Sequence, residues 1–385
     1  MDDTHASRPS AGQGDVPMNI YVNGRFMTQR LSGVQRFARE ITRKMRQISA
    51  HTPAGMPRIL VPSGDLTQPE ADLPATHCGR LHGQLWEQVE LPRHVDDGIL
   101  VNLGNTAPLL GKPQIVVVHD AGIFSYPTAY STKFRLWNMA LLHGLRRTAT
   151  HFVTVSEFSR RELQARLHLP DDRVSVITEG ADHILSTPPD TSILERHHIT
   201  PGRFVLAVGN LAPHKNLHGL SKLARSLAAR DIDLVVTGGL NTAVFSQSDT
   251  ASSLPVPAKY IGRVNDTELR ALYQAALCFV FPSFYEGFGL PPIEAMACEC
   301  PVAASAIPSL QEVCGLAATY FDPASQDEID RTVLHVIENP VLRAHLRSAG
   351  RSHAASFTWE HAARQLLEVI GQHMPRGHVP SAMLH

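Results

Sequence analysis

Short apolar runs alternate with amphipathic stretches along most of the chain. Met18 to Val22 is β-rich, and from Ser32 to Ile48 the residues Val34, Phe37, Ala38, Ile41, Met45 and Ile48 recur at helical spacing. Runs at Arg58 to Val61, Ile99 to Leu103 and Ile115 to Val118 predict further strands. Ser131 to Arg147 predicts a helix and His151 to Val155 a strand. Another helix should open at Ser156, where hydroxyls and Glu157 suit an N-terminus. Strand alternating with helix predicts a parallel sheet.

The pattern breaks between Ser186 and Pro201, where Pro188, Pro189 and Pro201 lie among mixed charges without a clean period. Residues 187–202 therefore read as an interdomain linker. The same grammar then restarts: strand Phe204 to Val208, helix Asn216 to Ala229, strand Ile232 to Thr237, helix Asp266 to Ala275, strand Leu277 to Pro282. Thr358 to His373 predicts a last helix with Trp359, Ala362, Leu366, Val369 and Ile370 on one side. The division expected is a disordered tail over 1–17, an α/β domain over 18–186, the linker, and a second α/β domain over 203–357. A helix over 358–373 should cross back to the first domain, followed by a tail over 374–385.

A chain of 385 residues, 43% of them apolar, can fill two cores and is too long for one compact α/β unit. Lys and Arg number 35 against 36 acidic residues, a formal charge of −1. That balance provides no global field for nucleic acid, so an acidic ligand must be held by local groups. The stretch before Pro17 carries Asp2 and Asp3 and no apolar run, unlike a secretory signal. The best apolar run, Ala276 to Phe281, falls far short of the roughly 20 residues a membrane-spanning helix needs. A cytoplasmic protein is expected. The five cysteines are odd in number and lack CxxC spacing, which argues against a disulfide framework and a zinc site and reads as buried filler.

Chemistry concentrates in Phe284 to Ala297, FYEGFGLPPIEAMA, which leaves a predicted strand and enters a predicted helix with Pro291 and Pro292 near its start. Gly287 and Gly289 let backbone approach a ligand, and the free N–H groups of a first helical turn favour phosphate or sugar oxygens. Glu286 and Glu294 flank that turn, eight residues apart, and carboxylates accept hydrogen bonds from vicinal hydroxyls. Alone, Glu294 also fits an ordinary exposed helix residue.

This segment resembles the E-x7-E region of retaining glycosyltransferase family 4, whose members have the GT-B fold: two Rossmann-like domains facing a deep interdomain cleft. GNLAPHKNL (209–217) is similar to the family's donor-diphosphate segment, and GRVNDTELRALYQAALCFVFPS (262–283) to the strand and helix before the turn. SGVQRFARE, VVHDAGIF, TVSEFSRREL and TEGAD resemble segments of the N-terminal half. The similarity spans residues 18 to 373.

By this resemblance Glu286 contacts donor sugar hydroxyls and Glu294 grips the ribose, with the backbone of Phe288, Gly289 and Leu290 facing sugar and phosphate. Lys215, at the C-terminal end of a strand, would neutralise the leaving diphosphate; on its own it equally fits a solvated lysine at a helix start. Many relatives carry Arg just before that lysine or at the strand end, where this chain has His214 and Asn210, so the rest of the diphosphate field must come from backbone amides, from Arg263 or from elsewhere; Val264 is counted with these among the donor-binding residues. Gly33, at a helix start, would let phosphate approach the dipole end. His119, ending a buried strand, should contact the donor sugar and the developing charge, with Asp120 as its orienter. A satisfied structural histidine is the plainer reading of that position.

No DxD-like pair stands where it could hold magnesium beside a diphosphate, so no metal or cofactor is expected, and the resemblance implies retention by front-face displacement. The expected donor is a nucleotide diphosphate sugar, GDP-mannose favoured over UDP-sugars, and the acceptor a saccharide or polyprenyl-linked saccharide. Ser131 to Arg147 mixes Lys133, Arg135, Arg146 and Arg147 with Phe134, Leu136, Trp137 and further apolar residues. It suits either a core-facing helix or peripheral contact with the inner face of the cytoplasmic membrane. A non-catalytic sugar-nucleotide-binding subunit is the alternative function. A dinucleotide oxidoreductase would need a G-x-G-x-x-G turn that Asn23-Gly24-Arg25 does not supply.

Overall fold

The computed structural model describes residues 19–50, 55–64, 66, 72–111, 113–239 and 254–374. The tails expected at 1–17 and beyond Met374 lie outside the described residues, as does Met18.

Two wholly parallel sheets organise these residues. Strands β1 (Asn19–Asn23), β2 (Arg58–Val61), β3 (Ala75–His77), β4 (Gly98–Asn102), β5 (Gln114–Val117), β6 (His151–Thr154) and β7 (Val174–Val176) lie in the order β3-β2-β1-β4-β5-β6-β7. The second sheet contains β8 (Phe204–Val208), β9 (Asp233–Thr237), β10 (Lys259–Tyr260), β11 (Cys278–Phe281), β12 (Val302–Ser305) and β13 (Thr319–Phe321), ordered β10-β9-β8-β11-β12-β13. In each, chain order reverses beside the first strand, leaving a crevice at the strands' C-terminal ends where open α/β sheets take ligands.

The first sheet is covered by α1 (Gly33–Ser49), two short helices α2 (Gly83–Leu85) and α3 (Gly122–Ser125), α4 (Thr132–Thr148) and α5 (Glu157–Leu167). The connecting stretch, irregular in sequence, holds a short helix, α6 (Ser192–Arg196). The second sheet carries α7 (Ser221–Ala228), α8 (Asp266–Ala275), α9 (Leu290–Ala297), α10 (Pro308–Cys314), α11 (Gln326–Glu338) and α12 (Pro340–Ala354). The last helix, α13 (Trp359–Gln372), packs along α1 of the first domain. One buried apolar cluster accordingly runs from Phe37 and Val101 in the first domain to Phe279 and Met296 in the second, with Trp359 among its members. All five cysteines are free and buried.

One sequence expectation needs correction. The helix predicted from Asn216 starts only at Ser221, after two 3-10 turns, Pro213–Lys215 and Leu217–Leu220. Asn216 is left-handed at φ 53°, a conformation asparagine tolerates. Its side-chain amide donates to the carbonyls of Pro282 at 3.1 Å and Pro323 at 2.8 Å. Those bonds fix the turn bearing Lys215 against the end of β11.

The two faces of α4 differ. Leu141, Leu142 and Leu145 are buried, while Leu136 and Trp137 are 58% and 46% exposed on a helix with four basic residues and no acidic one. Among the described residues no helix is long and apolar enough to cross a membrane.

Candidate active site

The two sheets' C-terminal edges face each other across a cleft of about 1610 Å³. Pockets for one small ligand run to roughly 300–1,000 Å³, so two substrates have room here. Every residue singled out from the sequence lines it: Gly33, His119 and Asp120 from the first domain, and Asn210, His214, Lys215, Arg263, Val264, Glu286, Gly287, Phe288, Gly289, Leu290 and Glu294 from the second.

On the second-domain lip, the Lys215 ammonium donates to Glu286 Oε1 at 2.6 Å and lies 5.6 Å from the centre of the Phe281 ring. Asn210 caps the same turn, its Oδ1 accepting the Ala212 amide at 3.2 Å. His214 is buried, and burial, then the Lys215 charge, pushes its pKa down to about 3. The imidazole is thus neutral near pH 7, and the permanent charge of this turn resides on Lys215. Arg263 packs over Gly239, where a Cβ would come within 2.0 Å of its Nε.

The glycine turn is shaped by its neighbours. Gly289 has φ 97°, a left-handed conformation that a side chain would strain, and it leads directly into α9. At Gly287 a Cβ would meet the carbonyl oxygen of His119 at 2.3 Å, so only glycine lets the two lips approach this closely. The Gly287 carbonyl accepts Ser156 Oγ at 2.5 Å and Ser159 Oγ at 3.1 Å from the first domain. Tyr285 Oη accepts the Ala121 amide at 3.2 Å. Glu312 accepts the amides of Glu157 at 2.7 Å and Phe158 at 2.8 Å, satisfying free donors at the start of α5. Ser156 caps that helix through the Ser159 amide, as its sequence suggests.

Glu294, one turn into α9, is buried. His183 Nε2 donates to its Oε1 at 3.0 Å and Tyr273 Oη to its Oε2 at 3.2 Å. Burial opposes ionisation, but the His183 and Tyr273 bonds and the charge of Arg36 hold the carboxyl below its ordinary range. Its two oxygens are engaged before any ligand arrives, unlike the more open pair of Glu286 and Lys215.

On the first-domain lip, the expected role of Asp120 is corrected. His119 Nε2 donates to the Leu103 carbonyl at 3.1 Å, and its Nδ1 shares a proton with Glu179 Oε1 at 3.3 Å. Glu179 is therefore its orienter. Asp120 Oδ1 instead accepts the Gly122 amide at 2.7 Å, a local turn bond. Burial raises the Asp120 carboxyl, the Gly122 amide and His119 oppose that, and Glu286 adds to it, which puts this acid beside the Lys215–Glu286 pair. Burial likewise pushes the Glu179 carboxyl up, with His119 pulling it back. Both ring nitrogens of His119 face protein acceptors, and its side chain is buried against Phe37 at 4.8 Å.

Sequence reasoning missed Glu179, His183 and Tyr285. The first two fall in and just after TEGAD, beyond β7 at the ligand edge of the first sheet, so their position carried the signal once that strand was known. Tyr285 adjoins Glu286, and its hydroxyl meets the opposite lip. Among the described residues no group of three or more His, Cys, Asp or Glu is disposed to hold a metal ion.

Known proteins resemble this chain in sequence and in fold. Residues 94–185 match the model described as Glycosyltransferase Family 4, and residues 192–353 that of Glycosyl transferases group 1. The chain is 32% identical over 262 residues to O-antigen chain mannosyltransferase B of Escherichia coli, covering 66% of this chain and 68% of that protein. It is 28% identical to O-antigen chain mannosyltransferase RfbU of Salmonella typhimurium, over 63% of this chain and 68% of the relative. Among solved structures, Anabaena HepE in complex with UDP and glucose superposes with a TM-score of 0.71 over 92% of this chain and 100% of that one, at 17% identity. Two parallel-sheet domains, the E-x7-E turn facing Lys215 and these matches converge: the chain belongs to the family 4 glycosyltransferases, with the GT-B fold.

Proposed function

We propose that the chain transfers mannose from GDP-mannose to a saccharide, carried on a polyprenyl diphosphate, during assembly of a cell-surface polysaccharide or lipopolysaccharide. The supporting observation is the Lys215–Glu286 pair at 2.6 Å, set between two glycine-containing turns at the ligand edge of the second sheet. A diphosphate would take over the ammonium and donor-sugar hydroxyls the carboxylate, so one ion pair is exchanged for two ligand contacts. The sugar and the pathway are inferred from the mannosyltransferase relatives, which act on O-antigen chains by their names.

Transfer proceeds with retention and without a metal ion. The bond from the anomeric carbon to the β-phosphate oxygen breaks as the acceptor hydroxyl closes on the same face, and the acceptor proton passes to the departing phosphate oxygen. Lys215 and the first amides of α9 stabilise the charge that gathers on that phosphate, where preorganised dipoles and charges act most strongly. Glu286 holds the sugar, Glu294 the ribose, and closure of the two lips excludes water.

The exposed face of α4, with Leu136 and Trp137 beside Lys133, Arg146 and Arg147, fits shallow contact with an anionic membrane, which would bring a lipid-linked acceptor to the first domain. Cosedimentation with anionic but not neutral vesicles, lost in Trp137→Ala, is the expected result.

The central test is nucleotide release and sugar transfer across GDP- and UDP-sugars with a lipid-diphosphate saccharide acceptor, with and without EDTA, followed by the product's anomeric configuration. Acceptor-dependent release from GDP-mannose, unaffected by EDTA and giving an α-linked product, is expected. Release from a UDP-sugar would reassign the donor, and donor binding without transfer to any acceptor would favour a binding subunit.

A further inference from the structure

Glu294 stands at the end of a hydrogen-bonded line that starts in the last helix of the chain. The indole N–H of Trp359 donates to His183 Nδ1 at 3.0 Å, and His183 Nε2 donates to Glu294 Oε1 at 3.0 Å. An indole nitrogen can only donate, so His183 Nδ1 must accept, and the ring's single proton is fixed on Nε2, aimed at the carboxylate. Trp359 is fully buried, and its backbone amide donates to Asp182 Oδ1 at 2.8 Å. The Ala181 amide donates to the Phe357 carbonyl at 2.9 Å. The chain after β7 is thus sewn to the start of α13 through the two residues that precede the histidine. Tyr273 closes the other carboxylate oxygen.

We infer that His183 and Trp359 are positioning residues for the donor: the indole selects the histidine tautomer, the histidine orients Glu294, and recognition of the nucleotide's ribose diol therefore depends on the helix that crosses back to the first domain. This rests on the proposed role of Glu294 at the ribose. A carboxylate receiving one donor on each oxygen keeps its charge and its orientation, leaving its remaining lone pairs for two vicinal hydroxyls. Without the His183 proton, Oε1 would turn toward whatever donor the cleft offers. With the wrong tautomer, two lone pairs would confront each other.

The test compares affinity for GDP and 2′,3′-dideoxy-GDP by calorimetry, with UDP and its dideoxy form in parallel, for wild type, Glu294→Ala, His183→Leu, His183→Gln and Trp359→Phe. The ratio of the two affinities isolates the diol, and a purely structural role of His183 would not move it. Wild type should prefer the ribonucleotide by about tenfold or more, as expected for hydrogen bonds to a charged group. Glu294→Ala and His183→Leu should abolish that preference, and His183→Gln, whose amide N–H can reach the carboxylate, should restore most of it. Trp359→Phe keeps a ring in the core but frees the tautomer, and should reduce the preference several-fold even if His183→Leu does not fold. A preference lost in Glu294→Ala but intact in both His183→Leu and Trp359→Phe overturns the inference and leaves the role of Glu294 standing. No preference in wild type, one that survives Glu294→Ala, or no binding of either diphosphate overturns both.

Discussion

The two lips of the cleft occupy the same topological place, the C-terminal edge of a parallel sheet, yet they offer different things to a ligand. The second-domain lip presents side chains: Lys215 and Glu286 meet each other at its surface and can be redirected by a substrate. The first-domain lip turns its most reactive side chain inward, His119 being held between the Leu103 carbonyl and Glu179, and offers backbone to its partner, with the His119 carbonyl abutting Gly287. One edge presents an ion pair to the cleft and the other presents backbone. Equivalent positions in two copies of a fold therefore do not carry equivalent duties, and a histidine at a strand end is no guide to function until its ring nitrogens are traced.

The contrast breaks most readily at its chemical side. Glu286→Ala and Lys215→Ala should each lower kcat/KM by about 10²–10³, the cost of losing one preorganised charge-stabilising group, with unfolding midpoints close to wild type. Near-normal turnover in either would move the chemistry elsewhere. Gly287→Ala comes next, because its Cβ would strike the His119 carbonyl and hold the lips apart. Transfer should fall about 10- to 100-fold, the range that a displacement near 1 Å can cost, while nucleotide affinity of the second domain changes far less.

Glu179→Ala tests the framing side. It leaves His119 buried without its carboxyl partner and should cost about 1–3 kcal/mol in urea unfolding, with kcat/KM reduced less than tenfold. A catalytic loss as deep as that of Glu286→Ala would promote His119 to direct chemistry. The remaining effect concerns His214 and appears only on acidification. Its folded pKa of about 3 lies below the ordinary 6.5, so between those values the unfolded chain binds the extra proton and stability declines as pH falls. The contribution is fully present above pH 6.5 and erodes by at most about 1.4 kcal/mol per pH unit on acidification. Urea midpoints followed from neutral to acidic pH should show a shallower decline in His214→Asn than in wild type.

Much of this was legible in the sequence. The long amphipathic helices α1, α4, α8 and α13 and the apolar strands β1, β8 and β11 announce themselves because periodicity needs several turns or a continuous run to register. Strands β3, β7, β10 and β13 have three residues or fewer, and β12 reads Val-Ala-Ala-Ser, so no period can emerge from them. The donor side of the site was legible because Gly287, Gly289 and the flanking glutamates lie within one stretch of chain. The arrangement around His119 was not, because Glu179 approaches it from 60 residues away. Asp120 was the natural guess only because it is adjacent in sequence, and its own turn took its oxygen. The late start of α7 was hidden for a similar reason: Asn216 is held by carbonyls 66 and 107 residues distant.

The bonds that join the lips have a further implication. Ser156 and Ser159 reach a carbonyl at Gly287, Tyr285 meets the amide of Ala121, and Glu312 takes the amides of Glu157 and Phe158. In each case one partner is main chain, which mutation cannot remove, and only the side-chain half of each pair must be kept. The seam thus behaves like a standard coupling. A first domain reshaped for a new acceptor could still mate with the same second domain, provided that it kept the two serines, an unobstructed helix start and the Arg36 and His183 side chains that meet Asp266 and Glu294, and diversification would then proceed largely on one side of the joint.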